Sequence, residues 1–113
     1  MISASFFSAG NACTDIIANK LVGFKVSGHT GRAGESIVCA AVSSACYMAA
    51  NTITDIMMID ADISLDDGLM CLEVKGDDVN AVQVILHGLL LHMRQLEEQY
   101  PDKIKLQILE VQQ

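Results

Sequence analysis

The stretch from Gly28 to Asn51 constrains the fold most, because a helix rich in small residues follows a glycine-containing loop there. It reads GHTGRAGESIVCAAVSSACYMAAN. Between about Ser36 and Thr54, apolar residues recur at helical spacing, and the stripe consists of Val38, Val42, Ala45, Ala49 and Ile53. The spacing predicts a helix that buries this stripe against a sheet.

Segments with alternating or β-branched apolar residues lie on both sides of this helix and predict five strands. In chain order they are Met1–Phe7, Leu21–Ser27, Ile56–Leu65, Leu69–Lys75 and a last strand that holds Ile104, Leu106 and Ile108. Asp66-Asp67-Gly68 is a hairpin signal that joins the third strand to the fourth. In the fourth strand we expect Met70, Leu72 and Val74 to face inward.

A second helix is predicted between the fourth and fifth strands. Asp77 or Asp78 is expected to cap its start, and Pro101 follows its end. Its apolar face consists of Val79, Val82, Leu86, Leu89, Met93 and Leu96. The resulting order, ββαββαβ, predicts an α+β fold: a two-layer sandwich with two helices on a mixed, mostly antiparallel sheet, in a single domain over residues 1–113.

Charge and hydropathy exclude several classes of function. The formal net charge of −7 argues against binding to nucleic acid and suits a basic partner. The apolar run Ile37–Ala50 is expected to be too short to span a bilayer. The N-terminal residues do not resemble a signal peptide. We therefore expect a cytoplasmic protein that does not bind a membrane.

The spacing of histidine and cysteine gives no metal pattern, and we expect neither a metal nor another cofactor. The four cysteines form no CxxC pair, so reduced thiols are expected. His87 and His92 lie five residues apart, which places them about 140° apart around a helix.

Cys39 and His29 are the candidate catalytic pair. Cys39 falls near the start of the first helix, where unpaired N–H groups and the helix dipole stabilise a thiolate and can hold an oxyanion. His29 lies ten residues earlier, across a loop with Gly31 and Gly34 that can fold the imidazole back over the helix start. The alternative is that Cys39 only packs in the core, as most helical cysteines do.

Other residues near this pair are candidate substrate contacts or packing residues. Gly28, Ser36 and Ser43 are the candidate substrate-binding residues. Ser43 and Cys46 lie one and two turns beyond Cys39 on the same face; Ser43 can also simply bond a carbonyl of the preceding turn, and Cys46 is expected to pack more deeply. Glu35 and Ser36 are plausible helix caps, and either one is also a candidate for orienting His29.

At these residues the chain resembles a known family, the ribosomal-processing cysteine proteases of bacteria called Prp. The family pattern is a GHA-type motif, a glycine-containing loop and a DIVCAAVS-type helix start. Here Gly28-His29-Thr30 and the segment from Ser36 to Ser43, SIVCAAVS, correspond to it. Ser36 stands where the pattern has Asp, which leaves a histidine and a cysteine with no acidic third member at that position.

The resemblance implies a cysteine endopeptidase that uses His29 and Cys39. It implies a substrate too: the precursor of a basic bacterial large-subunit ribosomal protein, the one numbered twenty-seven, whose N-terminal extension is removed during ribosome assembly. Family members are similar in being homodimers with a mobile loop over the active site, here Thr30 to Gly34.

Two alternatives differ from this interpretation in class. One is a non-catalytic, ribosome-associated binding domain with the same fold, and the other is a thiol redox sensor built on Cys39. Paired aromatic residues precede the cut in family substrates, and Phe6-Phe7 makes self-cleavage conceivable. A buried strand is the simpler reason for these two phenylalanines.

Overall fold

The computed structural model describes residues 1–10, 19–28 and 37–111. These ranges hold five strands and three α-helices, and a π-helical turn, Thr52–Ile56, continues the first helix. In chain order the elements are β1 (Ile2–Ala9), β2 (Leu21–Ser27), α1 (Ile37–Asn51), β3 (Asp62–Asp66), β4 (Leu69–Glu73), α2 (Asp78–Ala81), α3 (Gln83–Gln99) and β5 (Ile104–Val111).

The strands form one open sheet in the order β3-β4-β2-β1-β5. Strand β1 pairs with β2 in antiparallel fashion, with Phe6 opposite Phe24. Strand β4 pairs with both β2 and β3, again antiparallel. Only β1 and β5 run parallel among the described strands. The prediction of a mixed, mostly antiparallel sheet is confirmed.

The core lies between the sheet and the helices. Alternate residues of β1 and β2 point into it, among them Ala4, Phe6, Phe24 and Val26, and all are almost inaccessible to solvent. The helices contribute the predicted stripes. From the first helix and its π-helical turn come Val38, Val42, Ala49 and Ile53, with Ala45 partly buried against them, and from the second helical region come Val79, Val82, Leu86, Leu89, Met93 and Leu96. The two-layer α+β fold is therefore confirmed.

The third strand is shorter than predicted. It spans Asp62–Asp66, whereas the prediction began at Ile56. The first helix instead continues through the π-helical turn, and Ile59 N–H then donates to the carbonyl of Ile53. Met58 adopts a left-handed conformation, with φ of 59°. Two buried isoleucines, Ile53 and Ile59, pack the end of this helix against the core. The β-branched residues of the segment are typical of a strand, so the sequence did not predict this helical ending.

The second predicted helix is broken into two at Val82. Val82 has φ of −97° and ψ of 2°, and its N–H donates to the carbonyl of Val79 rather than continuing the α-helical pattern. Its apolar face still runs unbroken across α2 and α3. Asp77 occupies the N-cap position, but its side chain makes no capping hydrogen bond. The prediction of two helices is thus wrong in number, although it is right about the buried face.

The helical segment Ile37–Ile56 is long and apolar enough to cross a membrane, by length and composition alone. It is longer than the apolar run on which the sequence prediction rested. A third of its most apolar window is buried inside the protein, and its buried side chains belong to the core shared with the sheet. Core helices pass the same length test, so this segment is weak support for a membrane span.

Candidate active site

The end of β2 is fixed at Gly28. This residue has φ of +86°, a conformation that side chains rarely adopt, and a Cβ here would collide with the carbonyl oxygen of Met1. Its N–H donates to the carbonyl of Gly68, in the β3–β4 turn, over 3.2 Å. The backbone that leads to His29 is therefore tied to that turn.

The predicted base and its loop lie outside the described residues. The structure does not describe the range 29–36, which includes His29, the segment Thr30 to Gly34, and Ser36. The segment between the first two strands, residues 11–18, is also outside it.

Cys39 lies at the start of α1 as the structure describes this helix, in the third described position. Its side chain is half-buried and packs against the hydrophobic core. The first N–H groups of an α-helix have no partner within the helix, so this end can receive a negatively charged oxygen. The Cys39 thiol thus lies within the first turn of the described part of α1.

Ser43 and Cys46 continue the face that carries Cys39, and both line a cavity of about 200 Å³. Ser43 is half-buried and lies one turn beyond Cys39, whereas Cys46 is buried. Burial raises the pKa of the Cys46 thiol to about 12. Cys46 therefore stays neutral at physiological pH.

The opposite wall of this cavity is the β3–β4 turn. Asp66, Asp67, Gly68 and Leu69 line it, and the Asp66 carboxylate accepts the N–H of Asp67 over 2.8 Å. Because Gly68 also accepts the Gly28 N–H, this turn contacts both the end of β2 and the cavity beside α1. The turn brings the predicted residues Gly28 and Ser43 to one place, one helical turn from Cys39.

Sequence reasoning missed Asp66, Asp67 and Tyr47 as walls of this cavity. The motif Asp66-Asp67-Gly68 was predicted as a hairpin turn, which the structure confirms, but its position follows from strand pairing. Ser27 pairs with Leu69, so the end of β2 meets the start of β4. The two aspartates in the turn were the available sequence signal for this wall of the cavity. Their charges do not indicate which other element the turn contacts.

A second and larger groove, of about 920 Å³, lies on another face of α1. Three parts of the chain line it. They are α1 with Ala41, Ser44, Ala45 and Met48, the residues that follow it with Thr52 and Met57, and α2 and α3 with Ala81, Val84, Ile85, Gly88, Leu89 and His92. None of its lining residues in the described part of the chain is a cysteine, and most of them are apolar or small. Of these two cavities, the smaller one adjoins the helix face that carries Cys39, through Ser43 and Cys46.

Among the residues that the structure describes, no group of three or more histidine, cysteine or acidic side chains is placed to hold a metal ion. The described part of the site offers the thiol of Cys39 and the hydroxyl of Ser43.

Comparison with known proteins identifies the family. The family model described as Cysteine protease Prp matches residues 1–105. Ribosomal processing cysteine protease Prp of Staphylococcus aureus is 30% identical over 99 residues, which cover 81% of this chain and 93% of that protein.

Solved structures of the essential ribosomal processing protease Prp from S. aureus have the same fold. One, in complex with a substrate peptide, is 25% identical with a TM-score of 0.77. Another, in complex with a covalently linked product peptide, is 26% identical with a TM-score of 0.79. Each alignment covers 96% of this chain and 100% of the other. The chain therefore belongs to the cysteine protease Prp family.

Proposed function

We propose that this protein is a cysteine endopeptidase that removes the N-terminal extension from the precursor of a bacterial large-subunit ribosomal protein, the one numbered twenty-seven. One observation carries the proposal, the hydrogen bond from the Gly28 N–H to the Gly68 carbonyl. It joins the end of β2, which leads to His29, to the β3–β4 turn, and that turn forms a cavity together with Ser43. Ser43 lies one turn from Cys39, so strand end, cavity and helix start adjoin. The relatives named ribosomal processing proteases support the substrate class.

In the proposed mechanism, His29 takes the proton from the Cys39 thiol, and the sulfur attacks the scissile carbonyl carbon. Backbone N–H groups at the start of α1 stabilise the oxyanion of the tetrahedral intermediate. Its collapse breaks the C–N bond, and His29 returns the proton to the leaving amine. Water, deprotonated by His29, then attacks the thioester, which releases the acid and restores the thiol. Gly28, Ser36 and Ser43 contact the peptide in this scheme.

The test is cleavage of a precursor peptide that spans the end of the extension. Wild type should cut it once, and Cys39→Ala and His29→Ala should each lower kcat/KM by about 10³-fold or more, since nucleophile and base act as a unit. Cys71→Ala and His87→Ala are the matched controls. Cys71 lies on the sheet opposite Lys25, and neither residue lines either cavity.

The outcomes separate the two function classes. Cleavage that persists in Cys39→Ala would overturn the assignment of the nucleophile. Wild-type protein that binds the peptide and leaves it intact would instead be a non-catalytic binding domain of the same fold.

We further propose that the protein is a cytoplasmic homodimer that buries the large groove. The groove is lined mainly by apolar or small side chains, and several of them are exposed, including Met48 and Val84. A contiguous apolar surface of this kind, on a chain of net charge −7, fits an isologous contact between two copies of the chain. In such a contact the helical layer of each copy covers the groove of the other. We propose the cytoplasm as the location of the protein because the proposed substrate is the precursor of a ribosomal protein.

A further inference from the structure

The edge strand β3 carries two apolar side chains on the side of the sheet that faces the helices. Ile63 is paired with Leu72, and Leu65 with Met70, and directly opposed residues share a face of an antiparallel sheet. Leu72 and Met70 are buried in the core, whereas Ile63 is 39% exposed and Leu65 is 58% exposed. The core therefore extends over β4 and ends before the β3 patch, which consists of Ile63 and Leu65.

The β3 patch is continuous with the cavity beside α1. Met70, the partner of Leu65, lines that cavity, and so does Asp66, the next residue of β3. Tyr47 lines the same cavity from α1, and half of its surface is exposed. An apolar surface thus runs from the cavity onto the edge strand, with Met70 in both.

The β3 patch leads away from Cys39. The helical segment that starts with α1 is joined to the start of β3 by five residues, and the end of β3 is the turn that shares the cavity with Ser43. The helix and the strand therefore run in opposite directions. From the turn, Leu65 and then Ile63 follow along β3 in the direction in which Ser43 and then Tyr47 follow along α1.

From this arrangement we infer that the β3 patch binds an apolar side chain of the peptide substrate, at a residue about three to four positions from the scissile bond. Tyr47 lies eight residues beyond Cys39, which is about 12 Å along the helix axis, and an extended peptide advances about 3.3 Å per residue. The inference rests on the proposed protease function, because it adds a recognition surface to that site.

The exposure of the β3 patch supports an apolar occupant. Open apolar side chains on an edge strand favour aggregation, and a peptide side chain that covers them removes apolar surface of both molecules from water. The large groove, which we propose as the contact between copies, shares none of its described lining residues with the cavity. A dimer and a bound peptide can therefore occupy the two surfaces at the same time.

The experiment measures selectivity for an apolar residue at a distance from the cut. In the precursor peptide, the residues three, four and five positions from the scissile bond are set to Ser on both sides, and one of these six is then set to Leu. Wild-type cleavage gives kcat/KM, and fluorescence anisotropy with Cys39→Ala gives Kd without cleavage. At one position we expect Leu to exceed Ser by about 10-fold in both readouts, as partial burial of one leucine predicts.

Variants then assign this preference to the β3 patch. Leu65→Thr and Ile63→Thr should each lower the ratio of Leu to Ser peptide, and the double variant should bring it close to one. Thr keeps the strand propensity of the position. Leu109→Thr is the matched control, because Leu109 is 40% exposed on β5, the opposite edge strand of the sheet, and the ratio should stay as in wild type.

Each result decides the matter. Cleavage by wild type with no preference for Leu at any of the six positions overturns the role of the β3 patch and leaves the protease function standing. A preference that survives in the double variant overturns it as well, because the leucine then binds elsewhere. A double variant that is monomeric by light scattering, where wild type is a dimer, assigns the patch to a contact between copies and overturns the inference.

Two further outcomes separate this inference from the proposed function. Binding by Cys39→Ala that prefers Leu and depends on the β3 patch, with no cleavage by wild type, supports the recognition surface and removes the protease function. Neither cleavage nor binding removes both.

Discussion

Gly28 sits where the second strand meets the N-terminal residue and the hairpin turn. Two separate costs oppose a side chain there, the left-handed backbone and the collision with the Met1 carbonyl oxygen. Gly76 also has a left-handed backbone, with φ of +65°, but a Cβ at this position would meet no atom within 4 Å. The two glycines therefore allow the backbone cost and the steric cost to be separated.

We expect Gly76→Ala to lower the free energy of unfolding by about 1 kcal/mol, from the left-handed conformation alone. Gly28→Ala should cost clearly more, about 2–4 kcal/mol, because Met1 or β2 must also move. Urea unfolding of both variants measures the difference. Equal losses would mean that the contact with Met1 is not tight in solution.

Cys46 gives a second prediction, in alkaline solution. Its pKa is raised from 9.0 to about 12, so the folded protein holds the proton more tightly than the unfolded chain does. The stability that this provides is complete below pH 9 and is lost as the pH rises towards 12. Between pH 8 and pH 10 the loss is about 1.4 kcal/mol.

The measurement compares wild type with Cys46→Ala by urea unfolding at pH 8 and pH 10. Both proteins share every other titrating group, so wild type should lose about 1.4 kcal/mol more than the variant over this interval. Equal losses would show that the thiol is accessible to solvent.

At the scale of residues, part of the candidate site could be predicted from the sequence. The spacing of Cys39, Ser43 and Cys46 placed them on one helix face, because helical periodicity is a local property. The contribution of Asp66 and Asp67 could not be predicted, since it depends on which strand their hairpin pairs with. The position of His29 stays a prediction, because it lies outside the described residues.

At the scale of elements, Gln83 joins the second helical region to the sheet. Its side chain accepts the N–H of Leu21 over 3.0 Å and donates to the carbonyl of the same residue over 2.6 Å. The register of β1 and β2 shifts between Phe7 and Ser8, close to this point. A side chain of α3 thus satisfies backbone groups at the beginning of β2, immediately after the helical break at Val82.

Gln83→Ala should lower the free energy of unfolding by about 2–3 kcal/mol, because both backbone groups of the buried Leu21 lose their partner. Gln95→Ala is the matched control, since Gln95 is exposed on the same helix, and it should change stability by less than about 0.5 kcal/mol. Chemical denaturation measures both. A similarly small effect of Gln83→Ala would mean that water replaces its side chain.

The elements with strong local patterns were predicted well, and their boundaries less so. β2 matches its predicted bounds, because alternation and a following glycine mark them. The break at Val82 was missed, since the apolar face continues across it and the contact beside it, from Gln83 to Leu21, is with a strand distant in sequence. Ile56 was assigned to a strand from its β-branched neighbours, but it ends the π-helical turn and its side chain is exposed.

At the scale of the whole molecule, the groove between the helices gives the prediction for oligomeric state. Val84 lines it and is 88% exposed, while Leu91 is 49% exposed on the same helix and does not line it. We expect Val84→Asp to convert a dimer into a folded monomer, because the contact would bury two unpaired carboxylates. Leu91→Asp should leave the dimer intact.

Light scattering over a range of concentrations measures the mass of each variant, and circular dichroism checks that it is folded. A wild-type monomer at all concentrations would remove the homodimer proposal. A dimer that persists in Val84→Asp would place the contact elsewhere.

The parallel pairing of the first and last strands has a consequence for how the protein folds. Ile2 pairs with Ile104, and the register continues to Ala9 and Val111. A contact between residues so far apart in sequence forms only after a large loop has closed, and such contacts slow folding. During synthesis, β1 emerges well before β5, so the pairing that joins them can form only after the chain up to Val111 has left the ribosome.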